Sequence, residues 1–312
     1  MKRIFFLSVA MLLCVAGMSI AAVRLFPAEA PKGDAETVFN VLQDGEKRET
    51  TMADYLVGVV AAEMPASFEP EALKAQAVAA RTYILDRAAH PVEAHRDAAV
   101  CADPGCCCAY ISDEEMRENW GRDYRKNLRR IRTAVRETDG QRLTYEGEPI
   151  RAVFHSSSGG QTEASAALWG AVPYLVSVSS PETAETVPGF ETTVTVSAAE
   201  AQTALEVTLP EDPAQWLGET VRDDAGRVET ITIGGKTISG AEARSLFSLR
   251  STNFTAEVTD GNVVFHVIGS GHGVGMSQYG ANVMAQQGAG YQEILAHYYP
   301  GTALESESSN LP

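Results

Sequence analysis

Apolar and polar positions change period near residue 140 of this chain. Before that point the spacing is helical. Thr51 is a good N-cap with Asp54 three residues on, and the pattern over 52–62 predicts a helix that stops near Pro65. A longer helix is expected from about Pro70, with proline in its first turn, to about Ala89. Ser112 and Glu115 form a capping-box pattern that opens a basic, amphipathic stretch over 114–138, with a break at Gly121. Residues 37–42 read as a strand ending at the turn signal Asp44-Gly45. From Arg142 the period shortens to two. Segments 143–145 and 150–154 predict a hairpin across Glu146-Gly147. Two further hairpins are predicted, 228–233 with 236–238 across Gly234-Gly235, and 254–258 with 263–267 across Asp260-Gly261. Residues 192–196 read as a strand and 198–205 as a short helix, and two helices close the domain, the first over 281–287. Long helices beside separate hairpins, without regular alternation, predict an α+β fold.

The N-terminus changes the picture. Residues 4–23 carry no charge and no proline, and about 20 such residues span a bilayer core. Lys2 and Arg3 favour an inside N-terminus. A cleaved signal peptide is the rival reading, but its apolar region usually runs to roughly 7–15 residues, and Ala21-Ala22-Val23 matches a cleavage site poorly. The expected organisation is an anchor over 1–23, a tether over 24–36, one domain over 37–302 and a polar tail over 303–312. The formal charge is −16, and −18 without Lys2 and Arg3. Such a surface excludes a duplex nucleic acid partner, which needs Lys and Arg against phosphates. It accommodates a neutral polymer more easily than an anionic one.

Several constellations can carry chemistry. In Gly269-Ser270-Gly271-His272-Gly273-Val274-Gly275 glycine alternates around one histidine. Side chains are deleted where backbone must approach a ligand or another strand closely, so a site and a tight chain reversal are both open readings. Glu63 ends an apolar helix just before a proline break. Apolar surroundings disfavour the ionised carboxylate, which is how a glutamic acid keeps a proton to donate; a glutamate reaching into water is the bland alternative. Lys74 and Arg81 are seven residues apart on one helix and share a face, so they can hold a substrate or stand as solvated cations. Cys101, Cys106, Cys107 and Cys108 cluster near His95. A disulfide framework would spread its cysteines, and these donors suit tetrahedral zinc, though a thiol cluster or one disulfide stays open. In the run from Phe154 to Glu163 histidine neighbours serine, but no Gly-x-Ser-x-Gly elbow is present. With Trp169 and Tyr174 downstream, this run suits a groove that stacks on sugar rings.

These blocks, taken in order, resemble the stage II sporulation protein D family, which also contains the amidase enhancers. The resemblance rests on residues 55–65, 71–83 and 157–162, on Trp169-Gly170 and Pro173-Tyr174-Leu175, and on 271–280 with His297-Tyr298-Tyr299-Pro300-Gly301. It implies a mixed α+β domain with a substrate groove and a lytic transglycosylase of peptidoglycan. Glu63 matches the catalytic glutamate. Lys74, Arg81, Tyr174, His272 and Gln278 match motif positions implied to contact substrate or support the site. His95, Cys101 and Cys107 fit best as ligands of a zinc that shapes the site, with Cys106 and Cys108 leaving the register open. The implied substrate is glycan stripped of its stem peptides. The implied partners are an amidase and membrane proteins of the engulfment complex. The implied location is the mother-cell membrane, with the domain outside and facing the forespore. The alternative is a wall-binding protein that positions or stimulates an amidase without cutting.

Overall fold

The computed structural model describes residues 33–306 apart from Arg96 and Pro104. The expected anchor, most of the tether and the end of the tail lie outside the described residues. No helix among the described residues is long and apolar enough to cross a membrane.

Strands β1 (Val38–Gln43) and β2 (Glu46–Thr51) form the first hairpin. Asp44 and Gly45 both take positive φ at its turn. The Thr51 hydroxyl accepts the Asp54 N–H at 3.1 Å and starts α1 (Met52–Glu63). Pro65 follows, and Met64 is already extended. Helix α2 (Pro70–Ala89) is the axis of the main core, with its alanines buried on almost every side. Small side chains let several neighbours reach its backbone closely. β3 (Val100–Cys101) lies parallel to β1. α3 (Asp113–Trp120) carries the expected capping box, and α4 (Tyr124–Glu137) follows the break at Gly121, whose φ is +48°. α4 buries Leu128, Ile131, Ala134 and Val135 toward α1 and α2.

β4 (Gln141–Tyr145) pairs with a much shorter β5 (Glu148–Pro149) than the pattern predicts. The chain instead runs on to β6 (Phe154–His155). A second lobe then begins with β7 (Glu191–Ser197) and α5 (Ala198–Leu205). It continues through β8 (Leu217–Arg222), β9 (Val228–Ile233), β10 (Lys236–Ser239) and α6 (Gly240–Leu246) to the hairpin of β11 (Phe254–Thr259) and β12 (Asn262–Ile268). Sheet orders are β10-β9-β8 and β11-β12-β7. This lobe has its own core, including Leu205, Trp216, Ile233, Phe254 and Phe265. Among the described residues, the expected single domain over 37–302 therefore has two large cores and a small satellite cluster at Ala61, Met116 and Leu128. The lobe enters and leaves on neighbouring strands, Glu191 opposite Ile268, so it sits in the chain as an insertion.

After it, β13 (Met276–Ser277) pairs parallel to β6. α7 (Gln278–Gln286) and α8 (Tyr291–Tyr298) close the main core. β14 (Ala303–Ser306) pairs antiparallel to β4, so the start of the expected tail is part of a sheet.

The end of the expected tether is folded too. Asp34 is 3% exposed and Arg81 is 1% exposed. Arg81 Nε donates to Asp34 Oδ1 at 2.8 Å, and Nη1 donates to the Gln141 carbonyl at 2.9 Å. Arg81→Met strands the Asp34 charge in the interior, and such a break costs about 3–5 kcal/mol of unfolding free energy. Denaturant titration measures this, and adding Asp34→Asn recovers much of the loss.

Candidate active site

Glu63 ends α1 with its carboxylate held at both oxygens. Oε1 accepts the Ala109 N–H at 2.9 Å and Oε2 accepts Gln278 Nε2 at 3.0 Å. Gln278 is in place because Ser277 caps α7, accepting the Gly280 N–H at 3.1 Å. Burial raises the Glu63 pKa, and the two donated hydrogen bonds oppose it only in part. Glu63 and Gln278, 215 residues apart, are thus brought into contact.

A cleft of about 430 Å³ runs past this point, lined among others by Tyr83, Arg87, Cys108, Arg151, Trp169 and His272. Glu63 is not in its wall. The cleft reaches Cys108, and the next residue, Ala109, donates to Glu63. Trp169 is 51% exposed, and its ring centroid lies 5.2 Å from that of His272. His272 Nδ1 accepts the Val274 N–H at 3.1 Å, and burial lowers its pKa to about 4. Its imidazole is therefore neutral near pH 7. Arg87 sits over the Tyr83 ring and donates to its hydroxyl at 2.9 Å. The Tyr174 hydroxyl accepts the Arg151 backbone N–H at 3.1 Å, so Tyr174 lies behind the cleft wall and not in it.

The remaining assignments separate. Arg81 is sealed against Asp34 and cannot meet a substrate. Lys74 is bound to Glu71 at 2.8 Å and Glu137 at 2.9 Å, and lies in a different groove with Pro70 and Arg129. Both are structural ties because their acidic partners, remote in sequence or on the next turn, claim them first. Arg87 and Arg151 escaped the sequence reading. Arg87 carried a usable signal, four residues after Tyr83 at the end of an alanine-rich helix, whereas Arg151 carried none.

The glycine string approaches protein, not open space. A Cβ at Gly271 would lie 2.8 Å from the His155 Cβ, at Gly273 2.6 Å from the Arg227 guanidinium carbon, and at Gly275 2.0 Å from the Val153 carbonyl oxygen. All three glycines have positive φ. The string packs on the loop after β6, with Ser157 bridged to Ser270 and Glu163 to Val274. That loop was expected to line a groove, yet Ser157, Ser158, Thr162 and Glu163 are buried.

Beneath it, Arg227 from the second lobe donates to the Ser158 carbonyl at 2.7 Å and faces Glu163 at 3.7 Å. Burial, then Asp223, raises the Glu163 pKa from 4.5 to about 7. A carboxyl with a raised folded pKa costs nothing below its unfolded value and its full penalty above its folded one. Stability should therefore fall as pH climbs from 4.5 toward 7. Glu163→Gln removes that part of the slope, which thermal midpoints taken across this window will read.

A set of metal donors adjoins the cleft. One ligand atom each from His95, Cys101, Cys106 and Cys107 lies within 4.8 Å of all the others. Cys107 Sγ is 3.3 Å from His95 Nε2 and 4.0 Å from Cys106 Sγ. Edges of a tetrahedral zinc site with thiolate and imidazole ligands are ~3.5–3.8 Å, given bonds of 2.0–2.3 Å. His95 Nδ1 is turned to the Ala98 carbonyl at 3.1 Å, which leaves Nε2 to face the sulfurs. Burial pushes the Cys107 thiol up to about 12 in the absence of a cation, so the cluster is one that a metal would relieve. Cys106 joins the donor set, while Cys108, 3% exposed, belongs to the apolar core.

Comparisons with known proteins identify the family. A family profile described as Stage II sporulation protein matches residues 45–145, a span that holds Glu63 and the donor cluster. Stage II sporulation protein D of Bacillus amyloliquefaciens is 41% identical over 263 residues, covering 83% of this chain and 76% of that protein. Its counterpart in Bacillus subtilis (strain 168) is 41% identical over 264 residues, with the same coverage of 83% and 76%. The Amidase enhancer of Bacillus subtilis (strain 168) is 30% identical over 308 residues, covering 80% of this chain and 40% of its own length. With 41% identity over 83% of its length to two such proteins, the chain belongs to the stage II sporulation protein D family.

Proposed function

We propose that this chain is a lytic transglycosylase acting on peptidoglycan glycan strands during sporulation, with Glu63 as its only acid and base. The observation that carries the reading is a half-buried carboxyl with a raised pKa, gripped at both oxygens beside a cleft that offers an exposed tryptophan face. In this reading Glu63 protonates the glycosidic oxygen between N-acetylmuramic acid and N-acetylglucosamine. Its carboxylate then takes the proton from the muramyl 6-hydroxyl as that oxygen attacks its own anomeric carbon. The bond to the leaving sugar breaks, a 1,6-anhydro ring forms and no water is consumed. A second carboxylate, usual in glycosidases, is replaced by proximity, since the nucleophile already belongs to the sugar.

Trp169 supplies a stacking face for a sugar ring. Arg87 and Arg151 supply positive charge for the muramyl lactyl carboxylate in an otherwise acidic protein. Stripping stem peptides removes further carboxylates, so denuded glycan suits this surface best, and an amidase that acts first would provide it. His95, Cys101, Cys106 and Cys107 would hold zinc. Bound there, zinc supplies a cross-link that fixes the strand-to-loop path from Cys101 to Ala109, and so the amide that grips Glu63. Residues 4–23, as a membrane anchor, would hold the domain on the outer face.

The similarity to an amidase enhancer, with Glu63 beside the cleft instead of in its wall, favours a second reading, a wall binder that cuts nothing. Digestion of denuded glycan by the full chain, with mass analysis of the new ends, decides. Anhydro-muramyl ends are expected. Reducing ends would mean a hydrolase, and unchanged strands that still bind would mean the second reading.

A further inference from the structure

Helix α4 is basic in a protein of formal charge −16. Arg125, Arg129, Arg132 and Arg136 are all exposed. At 100° per residue, their spacing of four, three and four keeps them within a stripe about 60° wide and about 16 Å long. The helix's other arginine is used differently. Arg130 is turned to the Ala66 and Phe68 carbonyls at 2.7 and 2.6 Å. Nothing comparable holds the stripe. Among the described residues, none of its four guanidiniums has an ion-pair or hydrogen-bond partner, and Arg132 is felt only at longer range, by the Asp113 carboxylate on α3 and the Tyr124 hydroxyl bonded to it. Like charges at these spacings repel, so the fold bears a cost that the core of α4 does not require.

The path of the chain says what lies nearby. Asp34 N–H donates to Asp139 Oδ1 at 2.8 Å, two residues beyond the end of α4. The polypeptide therefore enters the folded domain at the C-terminal end of the arginine helix. Residues 24–32 join that point to the uncharged stretch 4–23. Ten chain steps reach at most about 35 Å. If 4–23 spans a membrane, α4 cannot lie far from its surface.

We propose that the Arg125–Arg129–Arg132–Arg136 stripe docks on the anionic phospholipid surface of that membrane. The inference rests on the sequence reading of 4–23 as a span, and not on what the cleft does. Guanidinium forks match lipid phosphates in pairs of hydrogen bonds. Each arginine at such a surface strengthens attachment on the order of fivefold at low ionic strength.

The test reconstitutes the full chain into vesicles of phosphatidylcholine, alone or with phosphatidylglycerol, carrying a small fraction of dansyl-labelled lipid. Energy transfer from the tryptophans, of which Trp120 lies just before α4, reports how closely the domain approaches the bilayer. Transfer should rise when phosphatidylglycerol is present and fall back in high salt. The variant R125Q/R129Q/R132Q/R136Q should lose the rise while keeping its thermal midpoint and its glycan binding. Should that variant not fold, the salt titration of the unaltered chain still decides. Equal transfer in the two vesicle types, a rise that survives high salt, or a rise retained by the folded variant would overturn the proposal. In any of these cases an acidic protein or wall polymer becomes the partner to seek.

Discussion

Glu63→Gln should leave the protein folded, able to bind glycan and unable to cut it. A positioned general acid contributes about 10²–10⁴-fold to rate, and here one carboxyl serves both proton transfers, so a loss on the order of 10⁴-fold is expected. Glutamine keeps an oxygen for the Ala109 N–H and fills the same volume. It also removes a charge that burial penalises. The sign of the stability change follows. The folded pKa of Glu63 is raised, so its cost is absent below the unfolded pKa and complete above the folded one. At alkaline pH the variant should melt no lower than the parent. Activity of the parent should decline as pH rises through the raised pKa, because the first step needs the protonated form. Gln278→Ala deletes a donor that favours the ionised carboxylate and should move that decline to higher pH. A Glu63→Gln protein with most of its cutting activity would end the single-carboxyl mechanism.

What was legible in the chain depended on whether the cause was local. Helices α1 to α4 follow from caps and breakers within a few residues of their ends: Thr51 and Pro65, Pro70, Ser112 with Glu115, and Gly121. The hairpins of the second lobe follow from their two-residue turns. Strand β8 was not legible, because five of its six residues are exposed and polar alternation never develops. Among site residues, Glu63 was readable from its apolar helix and its proline. The roles of Lys74 and Arg81 were not, because Asp34 and Glu137 come from distant segments and take up both cations. Nor was Cys106 separable from Cys108 by spacing. The fold turns one sulfur to His95 and the next-but-one into the core. The glycine string read equally well as site or turn. Its glycines are a packing device, since each deleted side chain would collide with Val153, β6, the loop after it or Arg227, while His272 between them faces the cleft.

Loss of zinc from the donor cluster should destabilise this fold about as much as breaking the buried Arg81–Asp34 pair. Structural zinc sites contribute about 10–16 kcal/mol in isolated peptides. Here most of the chain has its own cores, so only part of that appears as global stability. A loss of 3–5 kcal/mol would lower the thermal midpoint on the order of 10 °C. The purified chain should contain one zinc, and a strong chelator should remove it together with that stability. Cys101→Ser, Cys106→Ser and Cys107→Ser should each lose the metal. Cys108→Ser should keep it, since Cys108 stands outside the donor set and is 3% exposed where the core meets the cleft, and should lose only packing. Cutting should fail along with the metal even where the rest of the protein remains folded, because Cys106 and Cys107 lie within three residues of the amide that holds Glu63. Metal content separates this from a simple destabilisation. Zinc retained by Cys106→Ser and lost by Cys108→Ser would mean that the sulfurs exchange places when the ion binds, and that the tetrahedron drawn from these distances is the wrong one.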